Sequence, residues 1–170
     1  MKLSVFILLF FTGIFLNSCQ TTSYIYIVRH AEKSTETAND PHLTNAGRLR
    51  SDALRDLLKE KKIKAIYSTE TSRTKETAMP LSALINVPIK YYRNDSLSSF
   101  INTIIKQNKN TLIIGHSNTC VNMINSLPLQ HTTLFIPDNK YDNMFIIEVK
   151  SGKAFKIINA HYGAVSPRNF

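Results

Sequence analysis

Short apolar strands alternate with amphipathic helices along this chain, and this alternation restricts its fold more than any other feature. The β-branched and aromatic runs predict strands at residues 24–28, 64–67, 88–92 and 111–114. A helix is predicted after each strand, at about 46–58, 71–78, 97–105 and 118–127. Apolar residues recur at helical spacing in the first and third of these helices, and the second is bent or ended near Pro80. Four alternations predict a mainly parallel sheet between two layers of helices, a three-layer α/β/α sandwich.

The C-terminal part departs from the alternation. Two strand-like runs, residues 144–149 and 154–158, flank Ser151-Gly152, which predicts a hairpin turn. We therefore expect an antiparallel pair at one edge of the sheet. The 170 residues suit a single domain, which we place at residues 24–170.

The N-terminal segment has the pattern of an export signal. Lys2 precedes an apolar run over residues 5–16, which is shorter than the roughly 20 residues needed to span a bilayer. The following Leu16-Asn17-Ser18-Cys19 resembles the bacterial lipobox, whose cysteine is acylated. We expect residues 1–18 to be a lipoprotein signal peptide, Cys19 to carry lipid, and residues 19–23 to be a short tether. The alternative is an ordinary signal peptide with a chance cysteine.

This N-terminus predicts a domain anchored by lipid to a bacterial membrane, in the cell envelope and on the periplasmic or extracellular side. If Cys19 carries lipid, Cys120 has no partner for a disulfide, and its apolar neighbours predict a buried, inert thiol. Neither the membrane leaflet nor the oligomeric state follows from the sequence.

Removal of residues 1–18 would leave 20 basic and 12 acidic residues. This surplus favours anionic partners. The lysines of residues 59–64 are interpreted as solvating a helix end, where they also suit the negative pole of the helix. Nucleic acid is not expected, because the basic residues do not alternate with aromatic stacking platforms.

Chemically distinctive side chains follow three of the predicted strands. The first strand runs into Arg29-His30, the second is followed by Arg73 in the first turn of a helix, and the fourth runs into Gly115-His116. Because ligands bind beyond the carboxyl ends of strands in sheets of this type, these side chains should converge. Arginine matches phosphate oxygens, a neutral imidazole can attack phosphorus, and a second imidazole can be cationic near neutral pH. The set predicts phosphoryl transfer without a metal or other cofactor.

Four motifs in this order resemble the histidine phosphatase superfamily, also called phosphoglycerate-mutase-like, over about residues 24–149. They are Arg29-His30, the segment Leu43-Thr44-Asn45-Ala46-Gly47-Arg48, the segment Tyr67-Ser68-Thr69 with Arg73-Thr74 and Thr77-Ala78, and Gly115-His116-Ser117. The resemblance implies that His30 is the phosphorylated nucleophile and that Arg29, Arg73 and His116 hold the phosphoryl oxygens. It also implies the α/β/α sandwich. Ala31 stands where many members have glycine.

The resemblance does not identify the group that protonates the leaving group. Many larger members have an acidic residue in a loop after the third strand, where this chain has Asp95. Glu32 is the rival candidate, and Asp142 is a distant third. If none serves, good leaving groups or N-phosphoryl substrates are favoured, since these need less help from an acid.

We expect a metal-independent phosphatase that hydrolyses phosphomonoesters or phosphoramidates of small phosphorylated substrates. One alternative is an anion-binding lipoprotein without turnover. Another is a phosphomutase, which the short chain and the export signal disfavour, because no insertion is long enough to enclose a sugar phosphate. The sequence does not identify the physiological substrate.

Overall fold

The computed structural model describes residues 21–35, 39–129 and 135–166, so Cys19 and the segment before it lie outside the described residues. The elements, in chain order, are β1 (Thr22–Arg29), α1 (Asn45–Leu58), β2 (Ala65–Ser68), α2 (Ser72–Ile85), β3 (Ile89–Tyr91), a 3-10 turn (Asn94–Ser96), α3 (Leu97–Gln107), β4 (Thr111–Gly115), α4 (Ser117–Asn125), β5 (Asn143–Lys150) and β6 (Lys153–His161).

The six strands form one sheet in the order β3-β2-β4-β1-β5-β6. The pairs β1–β4, β2–β4 and β2–β3 are parallel, whereas β1–β5 and β5–β6 are antiparallel. The predicted sandwich with an antiparallel C-terminal edge is therefore confirmed. The hairpin between β5 and β6 turns at Ser151 and Gly152, which both have positive φ, 49° and 73°, as two-residue hairpin loops require.

Each face of the sheet has its own apolar core. Ile25 and Ile27 of β1 face α3 and α4, whereas Tyr26 and Val28 face α1 and α2. This alternation follows from the two-residue period of a strand. It leaves β1 covered on both faces, so the residue that follows it is held rigidly.

Helix α2 settles one of two alternatives. The sequence indicated a bend or an end near Pro80, and α2 does not end there, because it passes through Pro80 and ends at Ile85. Proline has no N–H to donate to the carbonyl four residues earlier, here that of Glu76. Ser51 of α1 supplies the missing donor, because its hydroxyl lies 3.0 Å from the Glu76 carbonyl oxygen. Helix α1 begins at Asn45, and the Thr44 side chain caps it by accepting from the Gly47 N–H at 3.1 Å.

Among the described residues, no helix combines the length and the apolar character that crossing a membrane would require. Cys120 is a buried free thiol, as its neighbours in the sequence predicted.

Candidate active site

The two histidines lie side by side because β1 and β4 are neighbouring parallel strands in register. Arg29 pairs with Gly115 at the carboxyl ends of these strands, and His30 and His116 are the next residues. The His30 N–H donates to the Gly115 carbonyl at 2.8 Å, which extends the ladder by one step. The two imidazole ring centres are 5.5 Å apart. The convergence predicted from the strand ends is thus present.

His30 is held in the state that a nucleophile needs. Its Nδ1 atom lies 2.7 Å from the Ala31 carbonyl oxygen, which can only accept, so Nδ1 carries the proton and Nε2 keeps its lone pair. Burial lowers the pKa of His30 to about 3, and the positive charge of Arg29 adds to this effect. The imidazole is therefore neutral at physiological pH.

His116 lies between a hydroxyl and a guanidinium. Its Nε2 is 3.0 Å from Thr69 Oγ1, and its Nδ1 is 3.5 Å from Arg73 Nη2. Burial, together with the positive charges of Arg73 and Arg29, lowers the pKa of His116 to about 4. The protein's own groups thus favour a neutral His116 near pH 7, whereas the sequence also allowed a cationic imidazole at this position. A phosphate dianion beside it would raise the pKa again.

Arg73 reaches the site from the first turn of α2. Its side chain is mostly buried, and Nη1 lies 3.9 Å from an oxygen of the Asp40 carboxylate. Asp40 also accepts from the Ser72 N–H at 2.8 Å and the Ser72 hydroxyl at 2.6 Å, and these bonds lower its pKa. Asp40 therefore fixes the start of α2, and with it the position of Arg73.

Arg29 is more deeply engaged than the sequence indicated. It is 4% exposed, its Nη1 donates to the carbonyls of Pro137, Asp138 and Lys140 at 2.9–3.2 Å, and its guanidinium lies 4.5 Å from the centre of the Tyr141 ring. It thus holds residues 137–141 beside His30, whose ring centre is 5.9 Å from that of Tyr141.

Arg29 and Arg73 each have one N–H group that donates to no acceptor among the described residues. The Nε atoms of Arg29 and Arg73 are buried and have no hydrogen-bond partner. Buried N–H groups without an acceptor are costly and rare. An anion bound between the two strand ends is the kind of ligand that could satisfy them.

A group of threonines, which the sequence analysis assigned only to a motif, connects these side chains. Thr77 Oγ1 accepts from the Ala31 N–H at 3.0 Å and donates to the Arg73 carbonyl at 2.7 Å. Thr69 Oγ1 lies 2.9 Å from the hydroxyl of Thr74. The sequence signal was a run of hydroxyl residues at helical spacing, Thr74 and Thr77, on a face that is fully buried.

A cleft of about 750 Å³ opens beside His116. The residues that line it are Asn39, Asp40, Thr69, Glu70, Thr71, Tyr91, Tyr92, Arg93, Asn94 and His116. It is large enough for more than a phosphate group. Its lining includes two carboxylates, Asp40 and Glu70, that sequence reasoning did not consider.

The predicted proton donors have other partners. Glu32 forms a close pair with Arg50, a buried side chain of α1, with contacts of 2.7–3.0 Å. Asp95 is 61% exposed and lies 3.1 Å from Arg93. Neither of these carboxylates is among the residues that line the cleft.

The third candidate, Asp142, is buried and accepts from Ser166, and it lies 3.3 Å from the imidazole of His161. Its pKa is lowered by the bonds from Ser166, against an opposing effect of burial. Within residues 21–35, 39–129 and 135–166, no three His, Cys, Asp or Glu side chains are grouped so that they could hold a metal ion.

Comparison with protein families gives a match to the model of the histidine phosphatase superfamily (branch 1) over residues 25–94. This range includes Arg29, His30 and Arg73, and His116 lies beyond it. No curated protein matches the chain significantly in sequence.

Solved structures share the fold at low identity. The protein histidine phosphatase SixA, complexed with tungstate, is 16% identical with a TM-score of 0.66, and the match covers 81% of this chain and 96% of that one. A putative phosphohistidine phosphatase SixA from Agrobacterium tumefaciens is 17% identical with a TM-score of 0.60, covering 84% and 98%. A mycobacterial glucosyl-3-phosphoglycerate phosphatase is 10% identical with a TM-score of 0.62, covering 85% and 100%. These likenesses concern the fold.

Proposed function

Since residues 25–94 match the model of the histidine phosphatase superfamily (branch 1), we propose that the chain is a metal-independent phosphatase that hydrolyses small phosphomonoesters or phosphoramidates through a phosphohistidine on His30. The observation that carries the proposal is the neutral His30 with its free Nε2, beside Arg73 and His116.

In the first step, the lone pair of His30 Nε2 attacks phosphorus while the bond from phosphorus to the leaving oxygen or nitrogen breaks. The proton of His30 stays on Nδ1, which is hydrogen-bonded to the Ala31 carbonyl oxygen. This hydrogen bond stabilises the positive charge that develops on the ring. Arg73 and His116 supply donors to the phosphoryl oxygens, whose charge spreads during transfer. The leaving group departs with the electron pair and takes up one proton from an acidic side chain of the cleft or from solvent water.

In the second step, water attacks the phosphorus of phosphohistidine, and the bond from phosphorus to Nε2 breaks. Inorganic phosphate leaves, and His30 returns to its neutral state. The imidazole is a good leaving group, so this step needs little more than a positioned water molecule and the same oxyanion donors.

The identity of the acid restricts the substrates. Glu32 and Asp95 are both paired with arginines and do not line the cleft. Hydrogen bonds from Ser72 lower the pKa of Asp40, so Asp40 is a weak source of a proton. Glu70 is the remaining carboxylate of the cleft lining. We expect substrates whose leaving group needs little protonation, such as phosphohistidine or aryl phosphates, to be preferred. The two SixA proteins that share the fold are a protein histidine phosphatase and a putative phosphohistidine phosphatase, which agrees with this preference.

A panel of three substrates tests the proposal: p-nitrophenyl phosphate, a phosphohistidine peptide and glycerol 3-phosphate. We expect hydrolysis of the first two and a much lower kcat/KM for the alkyl ester. Glu70→Gln should lower activity on glycerol 3-phosphate by more than on p-nitrophenyl phosphate if Glu70 donates the proton, and Asp95→Asn is the matched control outside the cleft lining.

Equal kcat/KM on all three substrates would contradict the preference. Phosphate binding without any hydrolysis would favour the alternative of an anion-binding protein that does not turn over. Return of the phosphoryl group to a second position of the same substrate would favour a mutase.

We also propose that Cys19 carries lipid and anchors the domain to a bacterial membrane. This rests on the sequence Leu16-Asn17-Ser18-Cys19 and the apolar run before it, which lie outside the described residues. The domain would then face the periplasm or the exterior.

A further inference from the structure

Three loops meet at the end of the sheet opposite to the candidate active site, and they carry most of the chain's excess positive charge. They follow α1, α3 and β5. Eight lysines, here called the basic edge, lie in these loops or at the adjoining ends of α3, β5 and β6: Lys59, Lys61, Lys62, Lys64, Lys106, Lys109, Lys150 and Lys153. These are eight of the chain's 21 basic residues, against one of its 12 acidic residues, Glu60. The 13 basic and 11 acidic residues elsewhere nearly balance.

Hydrogen bonds tie the three loops together. The Lys64 N–H donates to the Asn110 carbonyl at 2.8 Å, and the Asn110 side chain donates to the Lys61 carbonyl at 2.8 Å. Gly152 of the β5–β6 turn lies against Lys106, since a Cβ on this glycine would be 3.6 Å from the Lys106 carbonyl oxygen. The lysines therefore form one surface rather than three separate clusters.

This surface surrounds the point at which the chain enters the domain. The Thr21 carbonyl accepts from the Ser151 N–H at 2.9 Å, and its hydroxyl accepts from the Asn108 side chain. The Asn110 side chain accepts from the Tyr24 N–H at 2.9 Å. The start of β1 is thus fixed between the loops that carry the lysines.

Most of the basic edge is free to bind an anionic partner. Lys59 lies 3.9 Å from Asp56 and Lys150 lies 3.3 Å from Glu148. The other six lysines are exposed and form no ion pair with a described residue. The sequence indicated that lysines 59–64 solvate a helix end, but the fold adds lysines from two other loops, which a helix end does not explain.

We propose that the basic edge lies against an anionic membrane surface and turns the candidate active site away from that membrane. The apolar run ends at Leu16, five residues before Thr21, so the chain between them spans at most about 18 Å. If Cys19 carries lipid, the span is at most about 7 Å, less than the Debye length of about 8 Å at physiological salt. Lysines held this close to anionic headgroups are attracted to them.

The orientation has a consequence for the substrate. β1 has eight residues, so at about 3.3 Å per residue its two ends are about 25 Å apart. His30 follows the far end of β1. Headgroups of the membrane on which the protein rests would therefore be out of reach of His30. With the basic edge against the membrane, the substrate is a soluble phosphorylated molecule and not a phospholipid or phosphorylated glycolipid of that membrane.

Nucleic acid fits the basic edge less well than a membrane. The three loops, residues 59–64, 106–110 and 150–153, contain no aromatic residue on which a base could stack. The apolar run that ends at Leu16 also lies close to this edge along the chain. Such a run favours a membrane rather than a nucleic acid as the partner.

Acylation of lysines in the full-length protein tests the orientation. The protein is reconstituted into phosphatidylcholine vesicles with or without phosphatidylglycerol, treated with N-hydroxysulfosuccinimide acetate, and the labelling rate of each lysine is measured by mass spectrometry. We expect phosphatidylglycerol to slow labelling of the basic edge several-fold at low salt and much less at high salt. Lys33 and Lys90, which are exposed outside the basic edge, are internal controls and should label equally in both vesicles.

A charge-reversal pair sharpens the test. Lys61→Glu with Lys109→Glu should largely abolish the protection of Lys150 and Lys153 by phosphatidylglycerol, whereas Lys33→Glu with Lys90→Glu, an equal change of charge, should leave it. Hydrolysis of a soluble substrate is measured separately, so loss of the proposed function would not imitate a loss of membrane contact. Equal labelling of the basic edge in both vesicles would overturn the proposal, as would protection by an oligonucleotide but not by anionic vesicles.

Discussion

Arg73 Nη2 lies 3.5 Å from His116 Nδ1, so a guanidinium that cannot release its proton faces the imidazole nitrogen that would gain one. This contact contributes to the low pKa of His116, about 4, after the larger effect of burial. The pair can take up a proton only if an anion compensates for the added charge.

The first prediction is that an oxyanion and a proton bind together. Vanadate or phosphate should raise the pKa of His116, so binding near pH 6 should take up protons, and affinity should fall as the pH rises through the raised pKa. Calorimetry in buffers of different ionisation enthalpy measures this uptake. His116→Gln should lose most of it, and proton uptake that is unchanged in His116→Gln would contradict the assignment.

The second prediction concerns stability in acid. Native His30 has a pKa of about 3, against about 6.5 for an unfolded histidine. Between these values the unfolded chain binds a proton that native His30 does not, so the free energy of unfolding must fall as the pH falls from about 6.5 towards 3. The slope for one histidine is at most about 1.4 kcal/mol per pH unit.

Urea unfolding of the wild type and His30→Asn over this pH range measures the contribution of His30. The pH slope should be smaller in His30→Asn. His161→Asn, which removes an imidazole that is 69% exposed, is the control for loss of a histidine. Identical slopes in the wild type and His30→Asn would show that His30 is not held neutral.

The third prediction separates a structural from a catalytic role for Glu32. Its carboxylate pairs with the buried Arg50, whose Nη1 also donates to the Tyr162 carbonyl at 2.8 Å. Glu32→Gln should lower the free energy of unfolding by roughly 2 kcal/mol, because it weakens a charged hydrogen bond. Its kcat on glycerol 3-phosphate should stay within a few-fold of wild type. A loss of about 100-fold or more, without loss on p-nitrophenyl phosphate, would mean that Glu32 is the acid after all.

The outcomes at Glu32 and Pro80 show what sequence patterns could and could not predict. Strand positions followed from apolar runs such as that of β1, and parallel order placed His30 beside His116. The partner of Glu32 lies 18 residues away on α1, and the hydroxyl that satisfies the Glu76 carbonyl next to Pro80 comes from Ser51. Such contacts depend on how two helices pack and not on local spacing.

Two other features of the site share this cause. Arg29 was predicted to hold phosphate, but the carbonyls that accept from its Nη1 belong to residues more than 100 positions later in the chain. Asp40 and Glu70 line the cleft because the loop before α1 meets the start of α2. Neither the carbonyls that accept from Arg29 nor the two carboxylates of the cleft belong to a motif with a defined spacing. No sequence pattern therefore indicated these contacts.

The fourth prediction tests metal independence, which is a proposal. Arg73 would supply the positive charge that a divalent cation supplies in other phosphatases, joined by His116 once a bound phosphate has raised its pKa. Activity on p-nitrophenyl phosphate should therefore survive EDTA, and vanadate should inhibit. If activity is lost in EDTA and returns with a divalent ion, the proposed mechanism is wrong.

The fifth prediction concerns the anchor. Cys19→Ser should release the domain from membranes or leave an unprocessed precursor, because acylation needs the thiol. Fractionation of cells and mass analysis of the N-terminus measure both outcomes. Cys120→Ser is the matched control for loss of a cysteine, since Cys120 is buried in the domain. A Cys19→Ser protein that is correctly cleaved and still membrane-bound would rule out a lipid on Cys19.

The last prediction distinguishes the two histidines. Both follow neighbouring strands, and both are neutral near pH 7, so charge does not separate their roles. Their hydrogen bonds do: His30 Nδ1 is held by the Ala31 carbonyl and leaves Nε2 free, whereas both ring nitrogens of His116 face other side chains, Thr69 and Arg73.

His30→Ala should therefore form no covalent intermediate. His116→Ala keeps the nucleophile and loses one donor to the developing charge, which typically costs about 100- to 1,000-fold in rate. Rapid quenching in alkali with a ³²P-labelled substrate preserves phosphohistidine for peptide mapping. We expect label on His30 in the wild type, slower labelling of His30 in His116→Ala, and none in His30→Ala, and label found on His116 would reverse the assignment.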